Sequence, residues 1–493
     1  MAGNADASAR LRLVLPIALG LSVLAAAALV FRYGHYPSAA DSWSYGFYAF
    51  RFRMHGPLHD FGTVRTYGYP LLLLPLTFLS GYEPARLAAI AGSVQYALYV
   101  AACLWLAAGL RRTSPRWALA TALALLLGPL GLALVTDVLT EAPSLIVTVL
   151  LAGLAVRLDG PYAAGRTEAA LVIGGALAGF ALMVRPANLP LLLAWNGAVG
   201  LGLLLAPGWA AHRGRLLAAT ISGGLFGAAS WLPQFLYNWH VLGEPGVLPA
   251  CRLGGFQVTF GALVWKYDTV MGLGAAAGGW YTPNPLFSGH LEAGEGWAWY
   301  FAHPFRAAAT MLAHLFLSFD VRSPFVYLYD RLPWYGPLVR PLYWAATVLA
   351  AFRIAGLAGH AIRERRWSVT PAFLSMACGA ILAINAISAI ETRFNAIPLA
   401  VAMVVAAEAL LALHEGHLRW GWGRWGAIAA LALLLTGAGS WVERTGSASL
   451  PPASSFNLPR SLRCVLTAES EQMGDPEVMR RHDEEMAARR ATP

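Results

Sequence analysis

Apolar runs long enough to cross a bilayer, roughly 18 residues or more, recur along the whole chain. They lie near 11–31, 86–110, 117–135, 142–157, 169–184, 187–206, 216–236, 338–356, 369–390, 394–413 and 425–442. They are too long for barrel strands, and hydrocarbon leaves no backbone group unpaired, so each is expected to be a helix. Only 12% of the residues are charged, against about 25% in a soluble domain. The sequence therefore predicts an all-α polytopic membrane protein of about 11 transmembrane helices. The first run is read as a span because it is long and no small-residue cleavage site leads from it into a soluble domain. "GALAG" at 175–179 and "GGLFG" at 223–227 carry the small-xxx-small spacing of closely packed membrane helices.

The net charge of +9 does not point to nucleic acid, because the basic residues are scattered between apolar runs. They sort instead by side. With Arg10 and Arg12 placed inside, alternate helix ends carry "RRTSPR" (111–116), Arg157 to Arg166, "HRGR" (212–215), "RERR" (363–366) and "RWGWGR" (419–424). Every inner loop is then basic, as the positive-inside rule requires. This register needs two short apolar stretches, 71–79 and 305–319, to lie at the interface without spanning. The outer side receives two large loops, 32–85 and 237–337, and the short turns 136–141, 185–186 and 391–393. Residues 1–442 form one transmembrane domain, and the polar tail 443–493 ends outside. Of the four cysteines, only Cys251 and Cys464 share a side, which leaves one disulfide open; no spacing reads as a zinc or redox site. Lys266 is the only lysine and has no glycine loop before it, which excludes a P-loop.

The outer turns hold the ionisable residues. Asp41 and Arg65 lie in the first loop. Asp137 and Glu141, in "VTDVLTEAPSL", are spaced i, i+4 and share one helix face. Arg185 tops one helix pair; Glu391 and Arg393 cap another. Charges at a bilayer edge are costly and so mark a candidate site. Each has a plainer reading: Asp41 and Asp137 as helix caps, Arg185 and Arg393 as headgroup anchors, Glu391 as the partner of Arg393, Lys266 as a loop residue beside Asp268. Arg51 and Arg53 are expected to hold the first loop against headgroups.

The order "ADSWSYGFYA", "TYGYPLLLLPLTFLSGYEPARLAAIAGSVQYALYVAACLWLAAGLRR", "VTDVLTEAPSLIVTVLLAGL", "GALAGFALMVRPANLPLLLAW" and "ETRFNAIPLAVAMVV" resembles the GT-C superfamily of integral-membrane glycosyltransferases. Within it, the chain resembles the bacterial relatives of protein O-mannosyltransferases and aminoarabinose transferases. The resemblance covers residues 10–205 and 385–415. It implies a GT-C-type fold and a transferase that moves a sugar from a polyprenyl-phosphate donor to a lipid, glycan or protein acceptor. It also implies a bacterial inner membrane, with the site on the periplasmic or exterior face among membrane lipids. The family's first-loop catalytic acid matches Asp41; its second acidic position matches Asp137 and Glu141. The family often has an acidic pair in the first loop, whereas Ser42 follows Asp41 here, so the base is Asp41 alone or depends on Glu141.

Such a transfer needs a carboxylate to take the acceptor's proton and cations for the leaving phosphate. Arg65, Arg185, Arg393 and Lys266 are the candidates for the phosphate. Tyr45, Tyr67 and Tyr69 are candidates to stack on the sugar or touch the lipid, with Glu391 beside them. No cofactor is implied; Asp41 with Glu141 leaves a weakly held divalent metal as the open alternative. A transporter or flippase of lipid-linked glycans is the competing class, and it would place its charges near the bilayer midplane.

Overall fold

The computed structural model describes residues 2–34, 41–56, 65–243, 245–249, 253–270, 278–288, 291, 295–324, 336–364 and 367–445. The polar tail beyond 445, Cys251 and Cys464 lie outside the described residues. Among these residues ten helices are long and apolar enough to cross a membrane, or eleven if one bent pair counts as a single span. The chain is thus an all-α polytopic membrane protein.

The first span, α1 (Ala2–Gly34), is followed by two shorter helices, α2 (Asp41–His55) and α3 (Gly68–Ser80). At 13 residues α3 rises only about 20 Å and cannot span. After α4 (Pro84–Arg111) comes the bent pair α5 (Pro115–Leu127) and α6 (Pro129–Val135), which cross at 58°. The bend has a local cause. Pro129 has no N–H and disfavours helical backbone before it, and Gly128 adopts φ −66°, ψ 111°. The break turns the end of α6 so that the 136–140 turn reaches α7 (Glu141–Leu158).

Helix α7 is the axis of the bundle, 89% buried, whereas α1 buries only 17% of its apolar stretch and shows Leu13, Leu21, Leu24 and Phe31 outward. Around α7 stand α4, α8 (Arg166–Val184), α16 (Val369–Ile387) and α17 (Ala396–His414). Helix α9 (Leu189–Leu205) packs between α8 and α16, and α10 (Arg213–Ala229) runs along the outside of α8. The peripheral spans include α15 (Gly336–Glu364) and α18 (Trp422–Thr445). After α11 (Leu232–Val241), the large loop contains α12 (Leu253–Leu263), strands β1 (Val264–Val270) and β2 (Gly278–Pro283), α13 (Gly296–Ala302) and α14 (Pro304–Phe319). The strands pair antiparallel, with Tyr267 opposite Tyr281. β1 also bridges to the 388–391 turn, where Tyr267 donates its N–H to the Ile390 carbonyl at 2.8 Å. That hairpin had no sequence signal. Helix α14, like α3, is too short to span, and it hides Ala307, Thr310, His314 and Leu317 while exposing Phe305 and Leu312.

The two ends of the bundle separate as the basic-loop pattern predicts. At one end Arg353 donates to Glu408 at 2.6 Å, Arg116 forms an ion pair with the same carboxylate at 3.0 Å, and Arg116 donates to Glu415 at 3.3 Å. There Asp159 accepts the Thr370 N–H at 3.2 Å at the start of α16. The opposite end gathers the 136–140, 185–188 and 388–395 turns.

The seam between α8 and α10 is made of glycine. A Cβ on Gly179 would stand 2.5 Å from the Gly227 Cα, and one on Gly175 would stand 2.8 Å from the Gly223 carbonyl carbon. Gly224, on the same helix, has nothing within 4 Å of its missing Cβ. We expect Gly179→Leu to cost about 1–3 kcal/mol or more through overpacking, read as a lowered melting temperature in detergent. Gly224→Ala should cause no loss. Equal behaviour of the two variants would show that this seam is not tight.

Candidate active site

Four turns meet at the end of the bundle opposite Glu408. Asp41 is the first residue of α2, where the helix dipole favours an anion. Its Oδ1 accepts from Arg65 Nη2, and its Oδ2 accepts from Arg393 Nη2 at 2.7 Å. Arg65 also donates to the Tyr45 hydroxyl at 3.3 Å, with its guanidinium 5.0 Å over the Tyr45 ring. Arg393 donates Nε to Glu391 Oε2 at 2.7 Å and lies 3.6 Å from Glu141 Oε1. Arg185 donates to the same Glu141 oxygen at 2.8 Å and lies 4.8 Å over the Phe394 ring. Arg393 thus joins carboxylates from the first loop, the start of α7 and the α16–α17 turn.

Asp137 sits beside this lattice. Its Oδ1 accepts from Ser42 Oγ at 3.1 Å and from the Val138 N–H at 2.7 Å. No guanidinium bonds to it among the described residues. Behind it, Gln95 donates to the Asp137 carbonyl at 2.9 Å and accepts from the Tyr69 hydroxyl at 2.7 Å. This contact requires α4 to touch the turn, and Gly92 allows it, because a Cβ there would collide with the Thr136 carbonyl.

The electrostatics separate the carboxyls. Burial alone would raise Asp41, but Arg65 and Arg393 outweigh it and hold its carboxyl well below the usual range. Burial pushes Asp137 up to about 6, against the hydrogen bonds from Val138 and Ser42. Burial also raises Glu391, which the ion pair with Arg393 only partly offsets. The Asp41, Arg65 and Arg185 side chains keep 25%, 18% and 20% of their surface exposed, whereas Arg393, Glu141 and Glu391 keep 7%, 4% and 2%. Asp41, Arg65 and Arg185 are therefore the members of the cluster most open to solvent.

Several expected site residues are elsewhere. Tyr67 and Tyr69 are fully buried, Tyr67 between the rings of Phe52 and Tyr237, so neither offers a face to a sugar. The face of Tyr45 is taken by Arg65. Lys266 is buried and donates to the Asp320 carbonyl, with the Leu317 carbonyl at 3.5 Å and Asp268 at 3.8 Å; its ammonium is spent on backbone, not on the cluster. Arg53 does not reach for headgroups. It donates to the Thr77 and Gly81 carbonyls at 2.6 and 2.9 Å, closing the C-terminal end of α3. Asp41 and Glu141, the pair considered for a metal, both face Arg393, and among the described residues no three His, Cys, Asp or Glu are grouped to hold an ion. Sequence reading missed Ser42 and Gln95. Gln95 had a signal, a lone amide inside an apolar run; Ser42 had none.

A buried carboxyl raised to about 6 from its ordinary value near 3.8 favours its neutral form in the fold. It therefore removes stability as pH rises through that window, and stability stays lower above it. Asp137→Asn keeps the two hydrogen bonds and deletes the charge. We expect it to raise the melting temperature at pH 8, by the equivalent of up to about 3 kcal/mol, and to make no difference at pH 4. Arg393→Met should act oppositely. It takes one cation away from three carboxylates at a cost of about 3–5 kcal/mol, and acidification should restore part of the loss as they protonate. Thermal unfolding across pH checks both variants.

No family model matches the chain, and no curated protein matches it. Among solved structures it is similar to the oligosaccharyltransferase of Archaeoglobus fulgidus in the apo form, at 13% identity and a TM-score of 0.46, over 91% of this chain and 59% of that one. It is similar also to the archaeal oligosaccharyltransferase AglB of Archaeoglobus fulgidus in complex with an inhibitory peptide and a dolichol-phosphate. There the identity is 15% and the TM-score 0.47, over 92% of this chain and 59% of that one. The chain spans about 59% of the length of these structures.

Proposed function

We propose that the chain is a GT-C-type membrane glycosyltransferase that moves a sugar from a polyprenyl-phosphate donor to a cell-envelope acceptor. The observation that carries this reading is the lattice at one end of the bundle, where three arginines and Asp41 come together from three loops and Asp41, Arg65 and Arg185 are partly exposed. A lipid-anchored phosphate lies at the height of these turns, and guanidiniums recognise phosphate oxygens by paired hydrogen bonds. In the reaction the acceptor hydroxyl oxygen attacks the anomeric carbon. The bond from that carbon to the phosphate oxygen breaks, the polyprenyl phosphate leaves with the electron pair, and the hydroxyl proton passes to Asp41. A single displacement inverts the anomeric centre. The arginines balance the charge that grows on the leaving phosphate.

A transporter would need charge near the bilayer midplane. The central helix α7 has no ionisable residue between Glu141 and Arg157, which favours chemistry at the outer end. The setting proposed is a bacterial inner membrane with the lattice on the periplasmic side, in keeping with the basic loops at the opposite end.

The test is transfer from a panel of radiolabelled polyprenyl-phosphate sugars into membrane extracts, wild type against Asp41→Asn. We expect label transfer by wild type and a loss of about 100-fold or more in the variant, the usual contribution of a positioned base. Equal transfer by a folded Asp41→Asn would remove Asp41 from the chemistry.

A further inference from the structure

In this structure Asp41 is not free to take a proton. Each of its oxygens accepts from a different guanidinium, Arg65 on one side and Arg393 on the other. A carboxylate clamped in this way is a weak base, because protonating it breaks at least one charge-assisted hydrogen bond.

The two arginines are not equivalent. Arg393 stays balanced without Asp41, since it bonds Glu391 and lies beside Glu141. Arg65 has only Asp41 as an anionic partner among the described residues, and its buried Nε makes no hydrogen bond. A buried donor without a partner is costly, and a phosphate oxygen arriving from the exposed side would supply one. Resting on the glycosyltransferase reading above, we propose that Asp41 is an internal stand-in for the donor's phosphate: the phosphate takes Arg65, and with it part of Arg393, and thereby releases Asp41 to act as base.

Charge makes the exchange self-timing. A polyprenyl-phosphate sugar is a phosphodiester with one negative charge, so in the ground state it competes with Asp41 on equal terms. As the anomeric bond breaks, the phosphate becomes a monoester and gains a second charge. The guanidiniums then favour it over the carboxylate, at the moment when the acceptor proton needs a base. Two consequences are specific. The donor must bind before the acceptor is activated, and the sugar-free product, polyprenyl phosphate, should bind more tightly than the donor.

The experiment is binding of undecaprenyl phosphate, without sugar, to the purified full-length protein in detergent. With the carboxylate gone, no carboxylate among the described residues competes for Arg65, so Asp41→Asn should bind this probe about tenfold more tightly than wild type while losing transfer. Arg65→Gln should bind it at least about tenfold more weakly. Unchanged or weaker binding by a folded Asp41→Asn that has lost transfer overturns the exchange and leaves Asp41 as an ordinary base. Absence of binding by wild type and both variants overturns the glycosyltransferase reading as well. If Asp41→Asn does not purify folded, wild-type kinetics decide. The exchange requires ordered, donor-first addition with undecaprenyl phosphate competitive against the donor alone, and a random-order pattern overturns it.

Discussion

A buried guanidinium must have its charge answered, and in this protein Arg393 is answered three times, by Asp41, Glu141 and Glu391. Those carboxylates belong to α2, α7 and the turn before α17, which are far apart in the chain. Satisfying one cation therefore pins three segments together. Arg185 on Glu141 and Arg65 on Asp41 extend the lattice to the end of α8 and to the first loop. Breaking a link takes a partner from a charge that is partly or wholly buried, which is costly. This end of the bundle is held in one arrangement for that reason.

The packing beneath serves that arrangement. Gly92 lets α4 touch the Thr136 backbone, and Gln95 then holds the Asp137 carbonyl. The glycine seam brings α8 against α10 and so positions the end of α8 that presents Arg185. The hairpin contributes one backbone and one side-chain bond. Tyr267 bonds Ile390, and Asp268 accepts the Thr392 N–H at 2.9 Å, so β1 braces the turn that carries Glu391 and Arg393. At the other end Arg116 and Arg353 share the fully buried Glu408, tying α5, α15 and α17 where no substrate has been assigned. These two ionic clasps differ in their carboxylates: Glu408 is fully buried, whereas Asp41 keeps 25% of its side chain exposed. That exposed carboxylate suits the clasp around Asp41 to exchange partners with a ligand.

What the sequence by itself determined is whatever depends on neighbours along the chain. Runs of apolar residues dictate spans because hydrocarbon accepts only helices with paired backbones, and the basic loops set which ends lie together. The run 117–135, read as one span, is broken at Pro129, whose missing N–H cannot continue the helix. The four charged turns were legible because ionisable residues at helix ends stand out against apolar flanks. Tertiary structure alone decided who pairs with whom: that Arg393 and Arg65 clamp Asp41, that Asp137 escapes an ion pair, that Lys266 turns to the Asp320 carbonyl, and that Tyr67 and Tyr69 are sealed in the core. Those outcomes depend on distances between segments brought together by packing. An ion pair is governed by separation and desolvation, and neither quantity is written in the local order of residues.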